Sequence, residues 1–112
     1  MSLPRLTRLM VLEAPVRTPD GSGGHTTTWD PQGSIFVDLK PGTGRQATGQ
    51  IGALARNTMR AIVRAAGVGA PSRPKPGQRL REGTRFFRID AVAHYDRGAH
   101  YLTCFVVEEE QV

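Results

Sequence analysis

Along this chain apolar and polar residues alternate in short runs cut by glycine and proline, the pattern of β-strands joined by turns. Leu6 to Ala14 is the first run, entered after Pro4 and closed before Pro15, and its Leu9, Met10, Val11 and Leu12 suit a mostly buried strand. In Thr18-Pro19-Asp20-Gly21-Ser22-Gly23-Gly24, proline presets φ for a turn and glycine accepts positive φ, so a mobile hairpin loop is expected there. His25 to Trp29 is β-prone through its three threonines. Pro31-Gln32-Gly33 then interrupts before Ile35, Val37 and Leu39 alternate with polar neighbours, which reads as a bulge or strand bend.

Pro41 to Asn57 is the least strand-like stretch, and it predicts a long loop with room for one short helix in the 48–56 region. From Asn57 to Ala66 periodicity leaves two readings open. Period two turns Met59, Ala61, Val63 and Ala65 to one side, whereas period 3.6 groups Ile51, Leu54, Ala55, Ile62 and Val63 and aligns Arg56, Arg60 and Arg64. Pro71, Pro74 and Pro76 then exclude regular helix or central strand from Gly67 to Pro76.

Gln78 to Arg81 and Thr84 to His94 flank Glu82-Gly83 at the spacing of a tight hairpin. In the second arm Phe87, Ile89, Ala91 and Ala93 fall on one face, and Asp96-Arg97-Gly98 turns into a last strand from Ala99 to Glu108. Six strands without a confident helix describe an all-β fold, read here as a small six-stranded SH3-like barrel with long loops. At 112 residues the chain makes one domain, 1–112, with a projecting loop at 42–57.

Composition narrows the function. Apolar residues make up 38% and aromatics 6%, thin for a self-sufficient core, so burial completed against neighbouring subunits is expected. The seven aromatics, Trp29, Phe36, Phe86, Phe87, Tyr95, Tyr101 and Phe105, barely supply one core, and most are assigned to it rather than to base stacking. Fifteen Lys and Arg stand against ten Asp and Glu, with Glu108, Glu109 and Glu110 clustered near the end, so the body is more basic than the net charge of +5. Such a body favours polyanions or acidic partner surfaces.

Catalytic chemistry finds no foothold in these residues. His25, His94 and His100 make no His-x3-His spacing, and no Cys-x2-Cys spacing exists to assemble a tetrahedral metal site. On a strand, Cys104 and His100 would stand about 13 Å apart, too far for a nucleophile and its base. Gly42-x-Gly44 and Gly21-x-Gly23-Gly24 lack the Gly-Lys-Ser/Thr ending of a phosphate loop. No catalytic, cofactor or metal residue is therefore assigned. Cys104 is the sole cysteine and is expected to be a buried small hydrophobe. The apolar run Leu9 to Leu12 is too short for a signal core or a membrane span, giving the expectation of a cytoplasmic protein without membrane contact.

The order of elements resembles the head-closure and head-tail adaptor proteins of long-tailed phages and of phage-derived gene transfer particles. The likeness runs over nearly the whole chain. It is carried by Leu6-Thr7-Arg8-Leu9, by Asp20-Gly21-x-Gly23-Gly24-x-Thr26-x-Thr28-Trp29, by Val37-x-Leu39-x-Pro41-x-x-Gly44-Arg45, and by Glu82-Gly83-Thr84-Arg85-Phe86-Phe87-Arg88-Ile89 with the turn Asp96-Arg97. Gly-Gly-x-Thr-x-Thr-Trp is the most specific of these. In that alignment Met59 to Ala66 falls on a strand. Glycine-rich Thr48 to Ala53 and the stretch Pro71 to Pro76 depart from the family pattern.

The resemblance implies a structural subunit of a homo-oligomeric ring of six- or twelve-fold symmetry in the particle neck. Such a ring docks under the portal or its adaptor, closes the channel on packaged DNA and offers a surface to a tail terminator or tail tube protein. It would be built in the host cytoplasm and end in the virion. Gly42, Gly44, Arg45, Gly49, Gly52 and Arg56 are then the candidates for a lumen-facing, DNA-facing loop, and Arg60, Arg64, Arg73 and Lys75 for the ring or neighbour interface. Two rival readings are a free nucleic-acid-binding barrel using Arg56, Arg60, Arg64, Arg79, Arg81, Arg85 and Arg88 on phosphates, and a tail-terminator ring component.

Overall fold

The computed structural model describes residues 3–42 and 58–109, which form six antiparallel strands closed into one barrel. The strands are β1 (Arg8–Pro19), β2 (His25–Pro41), β3 (Thr58–Arg64), β4 (Arg79–Glu82), β5 (Arg85–His94) and β6 (Tyr101–Glu109). Around the barrel the order is β1-β2-β3-β6-β5-β4, and β4 pairs back onto β1 through Val11↔Arg81, Leu12↔Leu80 and Glu13↔Arg79. The expected all-β barrel is therefore present. The helix expected in the 48–56 region lies outside the described residues.

Strand alternation places the core. Met10 and Leu12 of β1, Val37 of β2, Ala61 and Val63 of β3, Leu80 of β4, Phe87 and Ile89 of β5, and Leu102, Cys104 and Val106 of β6 pack together with almost no exposure. Met59 and Ala65 pack against this cluster, so the period-two reading of β3 holds. The first strand alternates more strictly than its unbroken apolar run suggested: Leu9 is half exposed beside buried Met10. The aromatic assignment is corrected as well. Phe87 alone of the seven is fully buried, and aliphatic β-branched and leucine side chains fill the barrel instead.

Three irregularities shift the elements from their expected places. β2 runs unbroken from His25 to Pro41, and Gln32 is the extra residue of a bulge, because Leu12 faces Gly33 while Glu13 faces Pro31. In β5 the pairing steps from Ile89↔Val106 to Ala91↔Phe105, which leaves Asp90 unpaired. That bulge reverses the phase of the strand. Val92 therefore packs on the core, and Ala91 and Ala93 are exposed rather than sharing the face of Phe87 and Ile89. The β4-β5 turn is Gly83-Thr84, one residue later than expected, since Glu82 pairs with Arg85 and Gly83 holds φ of 62° at the first turn position.

β1 and β2 outgrow the barrel. β4 contacts β1 no further than Glu13, yet the β1-β2 ladder continues through Ala14↔Asp30 to Pro19↔His25. Six residue pairs make a two-stranded arm about 20 Å long, with Pro15 to Pro19 and His25 to Thr28 exposed on both faces. Its tip is ordered by Asp20, whose Oδ1 accepts from the amides of Ser22 at 2.8 Å and Gly24 at 3.1 Å. A Cβ on Gly24 would meet Asp20 Oδ2 at 2.8 Å, so this glycine has a steric reason.

Candidate functional site

The inward rows of the strands end in charge at one mouth of the barrel. Beyond Met10, Leu80, Phe87 and Val106 the next inward positions are Arg8, Glu82, Arg85 and Glu108, and these four join. Arg8 Nε donates to Glu82 Oε2 at 2.9 Å while its Nη2 bonds Glu82 Oε1. Arg85 grips Glu108 with both ends of its fork, Nε to Oε2 at 2.8 Å and Nη2 to Oε1 at 2.9 Å. Arg85 Nη1 also lies 3.9 Å from Glu82 Oε1, linking the two pairs. The hydrogen bond from Arg8 holds the Glu82 carboxyl below its ordinary pKa, and that from Arg85 does the same for Glu108.

The same mouth is where β2 leaves and β3 returns. Gly42 N donates to Thr58 O at 2.9 Å, so the chain before residue 43 and after residue 57 is pinned at one point. Arg8, Leu39, Lys40, Pro41, Thr58, Met59 and Arg85 line a depression beside it. Of the loop candidates, Gly42 sits at this exit, and Gly44, Arg45, Gly49, Gly52 and Arg56 lie outside the described residues.

The interface candidates are not brought into one patch. Arg60 and Arg64 lie on the outer side of β3, about 13 Å apart by strand rise, with Arg60 opposite Lys40 and Phe105. Arg64 Cζ stands 5.7 Å from the Tyr101 ring centroid and borders an apolar groove with Leu6, Ile35 and Phe36. Arg73 turns back on its own loop, donating from Nη1 to Ala66 O at 2.7 Å. Lys75 is exposed, and its amide is held by Gln78 Oε1 at 2.9 Å.

Most arginines of the phosphate-binding reading are already engaged. Glu13, with a side chain 7% exposed, accepts from Arg79 Nε at 2.7 Å and Arg81 Nε at 3.0 Å. Arg85 is committed to Glu108, and Arg88 to Asp90 at 2.9 Å and Glu109 at 3.4 Å. At the acidic end of the chain Glu108 and Glu109 thus engage Arg85 and Arg88 within the fold. Sequence reasoning missed Glu13; a lone glutamate after Leu12 carries no signal of partners 66 and 68 residues away.

His100 and Cys104 are also kept apart by role. His100 Nδ1 contacts Asp96 Oδ2 at 3.1 Å in the β5-β6 turn, while Cys104 lies in the core and burial pushes its thiol up to about 12. That thiol is packing material, as its strand position required.

Against known families, residues 1–110 match the model of the phage head completion protein. The chain belongs to that family. A chain from the virion of a native gene transfer agent particle is similar to this chain at 45% identity and a TM-score of 0.76, covering 98% of this chain and 99% of that one. A Shigella flexneri 2a protein known from its solution structure shares the fold, with a TM-score of 0.71 at 18% identity over the whole of both chains. No curated protein sequence matches. Membership of that family supports a structural, head-completion role, and the resemblance to head-closure proteins holds.

Proposed function

We propose that this protein forms one layer of the head-tail connector, a homo-oligomeric ring that docks under the portal or adaptor, closes the DNA channel and presents the tail attachment surface. It acts by assembly and not by catalysis, entering the particle from the host cytoplasm as a single domain spanning 1–112. The observation that supports this most is family membership over residues 1–110 together with 45% identity to a virion chain.

The geometry fits a two-faced layer. β1 enters at the charged mouth with Arg8 and leaves the barrel after Glu13 at the opposite end. The 43–57 connection and the hairpin arm therefore issue from opposite ends of one rigid barrel. In this reading the 42–57 loop, with Gly42, Gly44, Arg45, Gly49, Gly52 and Arg56, faces the channel and its DNA. Arg60, Arg64, Arg73 and Lys75 sit toward ring neighbours, and the tail terminator or tail tube lies beyond. Engagement of Arg79, Arg81, Arg85 and Arg88 with carboxylates weighs against a free nucleic-acid-binding barrel.

The test is to remove the gene from a producing strain and examine the particles. DNA-filled heads that leak and carry no tails are expected, with rescue by the protein supplied in trans. Particles that keep both DNA and tails without it would refute the reading.

A further inference from the structure

The hairpin arm has two edges, and they differ. Asp20 N bonds Gly24 O at 3.1 Å, which makes 20↔24 a hydrogen-bonded pair. Antiparallel pairs alternate, so 18↔26 and 16↔28 are hydrogen-bonded, whereas 19↔25, 17↔27 and 15↔29 turn their amides and carbonyls outward. The sequence agrees, since Pro15 and Pro19 have no N–H to give to β2.

On the β1 edge two of the three outward donor positions are therefore proline, and Arg17 keeps the only N–H. That is the device by which strands refuse a further partner. On the β2 edge His25, Thr27 and Trp29 all present N–H and C=O, and β2 meets β3 only from Val37 onward. Among the described residues nothing pairs with β2 between His25 and Asp30 except β1. This edge carries no proline or lysine over His25 to Trp29, and its threonines favour extended backbone. Beyond Trp29, toward the tip, the ribbon has neither face packed, and such a two-stranded ribbon is marginal until a third strand joins it.

We infer that the β2 edge of the arm, His25 to Trp29, accepts an extended, proline-poor strand from a different protein of the assembled particle, by main-chain pairing. The blocked β1 edge forbids arm-to-arm pairing from copy to copy around a ring. The remaining self-pairing, β2 on β2, is two-fold and closes a dimer. With arm-to-arm pairing excluded, the occupant is a segment of another protein. This inference rests on the assembly reading above.

Arg17 and Thr27 face each other in one ladder pair, so they supply a matched test. Thr27→Pro removes an outward N–H from the open edge, and Arg17→Pro removes one from the closed edge; neither touches a β1-β2 hydrogen bond. Both variants are introduced into the producing strain, and their copies per particle are counted by mass spectrometry. Arg17→Pro is expected to assemble as the parent does, and Thr27→Pro to fall at least tenfold. Equal assembly of the two variants, at whatever level, overturns the inference.

Should Thr27→Pro not fold, hydrogen exchange on the parent decides: the amides of His25, Thr27 and Trp29 exchange freely in the isolated protein and become protected in particles. Unchanged exchange overturns the inference. So does a dimer of the isolated protein that Thr27→Pro abolishes, which assigns the edge to a second copy. Absence of the parent protein from particles overturns the assembly reading and this one together, whereas parental assembly with an indifferent Thr27→Pro overturns this one alone.

Discussion

Arg79 is stacked against Trp29, its guanidinium carbon 4.2 Å from the centroid of the indole, with the Phe86 ring at the same distance from that carbon. Trp29 stands at the root of the arm and Arg79 on the barrel strand β4, so this contact sets how the arm leaves the barrel. A planar guanidinium stacks where an ammonium cannot. Arg79→Lys is expected to cost about 1–2 kcal/mol and to shift the emission of Trp29, the sole tryptophan, to the red. Fluorescence with acrylamide quenching checks it; unchanged emission and quenching would show that the stack does not fix the arm.

Glu13 underlies the same contact and is the most deeply buried of the paired carboxylates. Its removal would strand two partly buried guanidinium groups, so Glu13→Ala is expected to destabilise the fold by about 3–5 kcal/mol. Arg88→Ala, at an exposed pair, should cost under about 1 kcal/mol. Urea unfolding of both variants measures the contrast, and similar losses would place Glu13 among ordinary surface pairs.

Acid should loosen the charged mouth. Glu82 and Glu108 both lie below their ordinary value of 4.5, chiefly through hydrogen bonds from Arg8 and Arg85. The unfolded chain therefore takes up protons before the folded one, and stability present above pH 4.5 is lost as pH falls through the folded values. Thermal unfolding from pH 7 down to pH 3 should show this decline. Glu82→Gln and Glu108→Gln together should flatten it, and an equally steep decline in the double variant would assign the acid sensitivity elsewhere.

Cys104 is expected to resist thiol reagents in the native protein, because burial has raised its pKa to about 12 and Leu102 and Val106 flank it in the core. Labelling should follow unfolding and accelerate with denaturant. Rapid labelling in buffer alone would contradict the register of β6.

Much of the barrel was legible because alternation in a half-buried strand is a direct record of which face is wet. Met59, Ala61, Val63 and Ala65 carried that record through a segment whose helical reading was equally periodic. The bulge at Gln32 was also visible, since proline and glycine bracket it. Asp90 left no comparable mark, and one unpaired residue was enough to turn Ala91 and Ala93 outward. Pro15 appeared to end β1, yet its ladder position needs no N–H, so the strand runs on to Pro19. The partners of the arginines were hidden for a different reason. Charge counts are local, while the carboxylates that engage Arg79, Arg81 and Arg85 come from strands distant in sequence.

The segment between Gly42 and Thr58 bears most directly on channel closure. Connections this long inside a small barrel are uncommon and usually functional. Here both ends are fixed by the Gly42–Thr58 hydrogen bond at the mouth sealed by Arg8, Glu82, Arg85 and Glu108. Cutting the segment short should therefore leave the barrel intact, since its closure runs through β1-β4 and β3-β6 pairing. Replacing residues 44–57 by a brief Gly-Ser link is expected to leave the melting temperature within a few degrees of the parent. In a ring, copies of the loop directed at the axis would narrow the passage, with glycine allowing a change of course and Arg45 and Arg56 meeting phosphate. Particles carrying the shortened protein should then assemble a neck but lose packaged DNA. DNA retention equal to the parent in fully assembled particles would deny the loop any part in closing the channel.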